Sequence, residues 1–277
     1  MKKKCIFVCI FNNIKYIDLT YLLLESLYTY GNLDNNTEIL IYTSTEFMQI
    51  IRDSEYYSED KIKFVINDNY NTLDSACKSR LDLFDFPIIQ NYSRILYLDS
   101  DVLIVRDVNA IFELAEKDVI YALEEGSIDA ATDTYGWDYW GTILFGDDVI
   151  NYADKSAFSS GVMLFNNCEK IKDLFCKIKE TIIEYPYSQL CYDQPYIVYN
   201  AFKYNLYDNK VLKQYAAIND YSIFTDKTIL HFAGGVGIHQ HKIINMQNFL
   251  YRCYIARMGL IVLCGGLVSG LIYYLDD

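Results

Sequence analysis

The chain has 277 residues, 52% hydrophobic and 22% charged, which is enough apolar material for one large α/β domain with its own core and excludes a disordered chain. Its 37 acidic residues against 24 Lys and Arg leave a net charge of -13, which excludes the nucleic-acid backbone as the main partner, since phosphate binding needs clustered cations. A diphosphate ligand on so acidic a protein needs a cation to bridge them, and a divalent metal is the obvious candidate.

In chain order, Lys2–Lys4 precede a short apolar run at 6–11 (IFVCIF) without helical period. Asn12-Asn13 follow instead of a small-residue cleavage site, so the run reads as a first buried strand rather than a secretory leader. Residues 19–30 carry apolar positions at helical spacing, and Gly31-Asn32 looks like the stop. Residues 38–43 (EILIYT) and 61–66 (KIKFVI) read as the second and third strands, with a short helix at 47–55 between them. Residues 76–89 are expected to be one helix with Leu81, Phe84 and Ile88 on its inner face. Residues 94–98 (RILYL) form a strand that runs into Asp99-Ser100-Asp101, and a β-prone run at 102–105 follows directly.

Further strands are expected at 119–123 and 161–165. The irregular stretch between them, 124–157, is rich in Asp, Gly and aromatics and long enough to be an active-site loop region. A helix at 171–184 ends before Pro186, another covers 193–202, and 229–232 is a short strand entering a Gly-rich turn. The alternation predicts an α/β fold with a mostly parallel sheet, helices on both faces and a ligand site at the carboxyl ends of the strands. With no internal repeat and no linker, residues 1–250 read as one catalytic domain.

Residues 258–275 (MGLIVLCGGLVSGLIYYL) carry no charge. At ~1.5 Å per residue they make a helix of about 27 Å, close to a bilayer core. If the segment spans, Arg252 and Arg257 ahead of it keep the amino-terminal domain in the cytoplasm, and Gly266 with Gly270 offers a helix-pairing motif. The competing reading is a buried helix or hairpin that closes the domain. The eight Cys include no Cys-x-x-Cys pair and only three His could join them, so they read as small buried thiols in a reducing compartment.

Four places could carry chemistry. Asp99 and Asp101, two apart past a strand, can both reach one hard cation such as Mn²⁺ or Mg²⁺; the plain alternative is a solvated turn. His231, leaving a strand ahead of Gly234, Gly235 and Gly237, could be a further ligand while the glycine backbone lies close to phosphate; His239 and His241 leave an HxH site open. Tyr192-Asp193-Gln194-Pro195 could meet sugar hydroxyls, or be an N-cap Asp with Pro in the first turn. Arg80 could meet a diphosphate or be an exposed helix Arg.

Taken together and in order, YSRILYLDSDVLIVRD (92–107), AFSSGVMLFN (157–166), YDQPYIVYN (192–200) and LHFAGG (230–235) resemble glycosyltransferase family 8, the glycogenin, galactinol synthase and bacterial lipopolysaccharide galactosyltransferase group. The resemblance covers roughly residues 5–245. It implies a GT-A fold, a nucleotide-sugar donor with uridine diphosphate sugars as the default, and hexose transfer with retention to a glycan, lipid, polyol or protein hydroxyl. It implies Asp99, Asp101 and His231 as ligands of Mn²⁺ (or Mg²⁺), and Asp193 and Gln194 as the residues that orient the donor sugar. It also implies Phe11, Asn12 and Tyr16 near the base, and Arg80, Ser100, Ser159, Gly161 and Gly234 along the donor.

Two departures stand out. Ser159 replaces the family's usual Asn, and Gly237 stands where the family has a phosphate-binding Lys, with Pro-Trp missing after it. Lys242, five residues later, is the candidate to substitute. The rival reading is a catalytically inactive sugar-nucleotide-binding or membrane-tethered interaction protein of the same fold. A nucleotidyltransferase should carry a Gly-rich basic loop after the first strand, and residues 9–16 contain no Gly.

Overall fold

In a computed structural model, which describes residues 2–129, 138–186, 192–234 and 239–264 (side chains as far as 257), the apolar run after the lysines forms β1 (Lys3–Ile10). Its side chains alternate between two hydrophobic layers, Cys5 and Phe7 to one side, Ile6, Val8 and Ile10 to the other. That two-sided burial is why the run shows no polar alternation. Helix α1 (Lys15–Tyr30) returns the chain to β2 (Thr37–Thr43), parallel to β1, and α2 (Thr45–Arg52) leads to β3 (Ile62–Ile66), parallel to β2. Ser44 caps α2, its hydroxyl accepting from the Phe47 N–H at 3.2 Å.

The single helix expected at 76–89 does not form. A short α3 (Leu73–Lys78), opened by a Thr72–Ser75 capping box, passes into 3₁₀ turns over Ser79–Asp85 and Pro87–Asn91. The ring of Pro87 disfavours a helical Phe86, which is extended at φ -86° and ψ 123°.

Strand β4 (Tyr92–Leu98) lies parallel to β1 on its other side, and β5 (Val102–Ile104) follows after three residues. The short α4 (Asn109–Glu113) leads to β6 (Ile120–Ser127), and α5 (Thr142–Phe145) to the long β7 (Ser156–Asn166), antiparallel to both β4 and β6. The described residues continue with α6 (Glu169–Glu184), α7 (Gln194–Lys203), β8 (Tyr207–Asp208), β9 (Ala216–Ile218), β10 (Ile229–His231) and α8 (His239–Cys264). The large sheet has the order β3-β2-β1-β4-β7-β6-β8, in which β7 alone runs against the rest. Strand β5, the β-prone run expected after the Asp pair, belongs to a second sheet of order β5-β10-β9.

One face of the large sheet is covered by α6 and α7 through Leu174, Phe175, Ile197 and Phe202. The other is covered by α1, α2 and α4 through Leu23, Leu27, Phe47 and Phe112. The small sheet packs Leu103 and Leu230 between Leu19 and Leu22 of α1 and Ile243, Met246 and Phe249 of α8. Thus α8 is part of the globular body from its first turns. Among the described residues no helix is long and apolar enough to cross a membrane. The expected span at 258–275 falls mostly on residues outside the description, as do 130–137 of the loop region and Gly237. Six cysteines are described as free thiols; Cys5 is buried as expected, whereas Cys176 is exposed because it lies on the outer side of α6.

Candidate metal and donor site

The two sheets meet at Asp99-Ser100-Asp101. The Asp99 N–H still donates across the large sheet to the Gly161 carbonyl at 2.8 Å, while the Asp101 carbonyl accepts from the Phe232 N–H of the small sheet at 2.9 Å. Antiparallel pairing of β10 with β5 sets His231 opposite Val102, one residue past Asp101. The register of both sheets therefore brings the three side chains together. His231 Nε2 lies 3.3 Å from Asp101 Oδ1 and 3.9 Å from Asp99 Oδ2, and the three side chains offer ligand atoms within 4.8 Å of one another.

This set fits a divalent cation. It offers two hard carboxylates and an imidazole nitrogen. Asp101 Oδ1 is buried with only the His231 imidazole 3.3 Å away and no well-aligned hydrogen bond, a state a bound cation would relieve. The strand opposite is cut back to glycine: a Cβ on Gly161 would lie 2.7 Å from His231 Nε2 and 2.8 Å from Asp99 Oδ2. The solvated turn considered from sequence is not what forms, because Asp101 is only 7% exposed. Burial works against the Asp101 charge, but Lys242 and His231 outweigh it and hold its carboxyl well below the usual range. Burial likewise opposes a charged His231, and Asp101 and Asp99 overcome it and raise its pKa.

Behind this group lies a buried ion pair. Arg80 is not exposed; its Nε and one terminal nitrogen donate to the two oxygens of Asp193 at 2.6 and 2.7 Å. Its other terminal nitrogen donates to the Ser160 carbonyl at 2.8 Å and reaches Asp99 Oδ1 at 3.4 Å. The guanidinium also stacks 4.9 Å over the Tyr97 ring, whose hydroxyl donates to Asp99 Oδ1 at 2.5 Å. Asp99 Oδ2 is thereby left to face His231. Asp193 stands at the N-cap of α7, yet its side chain makes no capping bond, because Arg80 occupies it. Gln194 accepts from the Ser160 N–H and hydroxyl at 2.9 and 3.1 Å and donates to the Tyr139 carbonyl at 3.0 Å, tying α7 to β7 and to the loop before α5.

All these groups open on one cavity of about 380 Å³. Of the residues expected from sequence, Phe11, Tyr16, Arg80, Asp99, Ser100, Asp101, Ser159, Gly161, Asp193, Gln194, His231, Gly234 and Lys242 line it. Asn12 does not: in a left-handed backbone at φ 69°, it is exposed and donates to the Asn71 carbonyl at 2.6 Å. Phe11 makes edge contacts with Tyr42 and Tyr70 at 4.9 and 5.0 Å. His239 is buried in the wall against Tyr16, ring centroids 4.6 Å apart, while His241 is exposed. The HxH site is thus ruled out, since positions two apart on a helix face different ways. Glu125, Tyr139 and Trp140, of the stretch 124–157 expected to form an active-site loop region, also line the cavity, as does His239.

No curated protein sequence matches the chain. Its fold is similar to that of the bifunctional glycosyltransferase WbbM, with TM-score 0.59 and 12% identity over 89% of this chain, which spans half of that protein's length. It is also similar to the galactosyltransferase LgtC, solved with donor and acceptor sugar analogues, with TM-score 0.56 and 14% identity over 88% of this chain and 95% of that one. Mouse xyloside xylosyltransferase 1 gives TM-score 0.58 and 13% identity over 86% and 99%. At these identities the likeness is one of fold, here of GT-A type. The family model of glycosyl transferase family 8 matches residues 35–235, a stretch that holds Asp99, Asp101, Asp193 and His231, and the chain therefore belongs to glycosyltransferase family 8 and is a glycosyltransferase.

Proposed function

We propose that the protein moves a hexose from a nucleotide-diphosphate sugar, a uridine diphosphate sugar by default, to a hydroxyl acceptor with retention of configuration and with the help of a divalent metal. The observation that carries this reading is the convergence of Asp99, Asp101 and His231 on the wall of a cavity that also holds the Arg80–Asp193–Gln194 assembly.

Asp99, Asp101 and His231 would hold Mn²⁺ or Mg²⁺, which when bound would supply Lewis-acid stabilisation of the negative charge on the departing diphosphate. The chain's own residues do the rest. Lys242 offers an ammonium on the same side of the cavity, in place of the lysine missing at Gly237. Gly234, with φ 95° and open space where a Cβ would be, lets backbone come close to the diphosphate. Ser159 and Ser160 on β7 lie beneath the donor sugar, and Asp193 and Gln194 set its orientation by fixing Arg80 and β7 beneath it. Phe11 and Tyr16 flank the base, with Asn12 at the rim. No side chain is assigned as nucleophile, since front-face attack by the acceptor needs none.

A glycan hydroxyl is the favoured acceptor, because the aromatic side chains of Tyr139 and Trp140 line the cavity and the structurally similar LgtC was solved with an acceptor sugar analogue. Lipid, polyol and protein hydroxyls are the other classes. The apolar segment 258–275 is read as a tether holding the catalytic unit, residues 1–250, at the cytoplasmic face of a membrane. Deleting 258–277 then releases active protein into the soluble fraction; an insoluble, inactive truncation points to a buried helix.

The test is nucleoside diphosphate release across a panel of nucleotide sugars, with Mn²⁺ and with chelator. Metal-dependent release from one preferred donor is expected, and Asp101→Asn should abolish it while the protein still folds, as judged by circular dichroism. Full release by that variant overturns the metal assignment. Donor binding without release favours the inactive reading.

A further inference from the structure

Two carboxylates of the site are matched by cations of the chain itself. Asp193 is taken by Arg80, and Asp101 by Lys242, whose Nζ lies 2.5 Å from Asp101 Oδ2. Both members of the second pair are largely shielded from water, with side chains 18% and 10% exposed. The ammonium therefore sits on one oxygen of the carboxylate whose other oxygen faces His231. An ammonium and a divalent ion on one shielded carboxylate repel each other strongly, because little water screens them.

Lys242 reaches this place from the first turn of α8, 141 residues along the chain from Asp101. The same turn carries His239, 6% exposed, whose Nδ1 is buried without a partner and which lines the cavity. The amino-terminal end of a 26-residue helix favours anions, so an ammonium released from Asp101 still faces a place where a diphosphate is welcome. The flexible four-carbon stem of lysine suits such an exchange.

We propose that Lys242 is the resident counter-ion of the metal site: its ammonium holds Asp101 until a divalent cation displaces it, and then pairs with the diphosphate that accompanies the cation. The proposal rests on the metal reading above. It makes metal and diphosphate binding mutually reinforcing, since the metal alone strands the ammonium and the diphosphate gives it a new partner. By linkage each ligand then raises the affinity of the other.

The test measures Mn²⁺ binding, not turnover, on the full chain, by loss of the free-ion paramagnetic resonance signal, with and without uridine diphosphate as the probe. A charge-assisted hydrogen bond is removed from competition, so Lys242→Met should bind Mn²⁺ alone about tenfold more tightly than wild type. Lys242→Gln should do the same and carries the test if the Met variant does not fold. Lys242→Arg, which keeps the charge, should stay near wild type. The factor by which uridine diphosphate tightens Mn²⁺ binding should shrink in the Met and Gln variants. Folded Met or Gln variants that bind Mn²⁺ no more tightly than wild type overturn the counter-ion role while leaving the metal site standing. If wild type and all three variants bind no more Mn²⁺ than Asp101→Asn does, the metal reading itself falls.

Discussion

Gly161→Ala isolates the geometry of the proposed metal site from its charge. Gly161 lies inside β7 with no left-handed backbone to lose, so alanine fits the main chain and only its methyl carbon matters. That carbon would lie 2.7 Å from His231 Nε2 and 2.8 Å from Asp99 Oδ2. Restoring a van der Waals separation of about 3.5 Å moves the imidazole, whose Cε1 would lie only 2.2 Å away, by about 1.3 Å and the carboxylate by about 0.7 Å. Neither has room: His231 is 5% exposed on a strand paired on both sides, and the Asp99 N–H is bonded to residue 161 itself. Metal sites tolerate ligand errors of only about 0.2 Å, and disturbing the groups that orient ligands costs roughly 10–100-fold in affinity. Since a ligand itself is pushed here, we expect the upper end, about 100-fold weaker Mn²⁺ binding by calorimetry, with a stability loss of about 1–3 kcal/mol from overpacking. Mn²⁺ binding in Gly161→Ala within threefold of wild type, in a folded protein, would refute the placement of the ion between His231 and Asp99.

Two further outcomes follow from buried charges. Asp193→Asn leaves the shielded Arg80 guanidinium without its two-bond partner and should destabilise the fold by about 3 kcal/mol in urea denaturation; Arg80→Lys should not restore the paired geometry, because an ammonium cannot make the fork. Glu38, 6% exposed, pairs with Lys3 and accepts from the Tyr92 hydroxyl at 2.8 Å; burial opposes its charge, but these partners prevail and hold its pKa below the ordinary value. A depressed carboxyl pKa adds stability that is complete above the unfolded-state pKa of about 4.3 and fades as pH falls through the folded value. Glu38→Gln should therefore melt lower than wild type at pH 7, by about 1–2 kcal/mol of stability, and the difference should close as pH falls through the depressed folded value. A difference independent of pH would mean that packing, not charge, is what Glu38 contributes.

Local pattern made much of this protein legible. The runs at 6–11, 38–43 and 94–98 became the inner strands β1, β2 and β4, largely apolar because both their faces are buried, and 61–66 became the half-buried edge strand β3. Asp99 and Asp101 stood out for the same reason: carboxylates at the end of such a run need an explanation. The helix expected at 76–89 failed on a local signal given too little weight, Pro87.

What remained illegible was which distant groups meet. Asp193 read equally well as a helix cap, and only the packing of α7 against β7 brings it to Arg80, 113 residues away. Arg80 looked like a surface cation, and Lys242 could be named but not placed. His239 and His241 could not be told apart until α8 turned one into the wall and the other outward. Periodicity records how each stretch meets its own surroundings, so the strands, the helices and the paired carboxylates are determined by the chain as written. The matching of Arg80 to Asp193 and of Lys242 to Asp101 depends on the register of two sheets meeting at Asp99-Ser100-Asp101, and that register is set by the joint burial of all their strands, which only the folded structure decides.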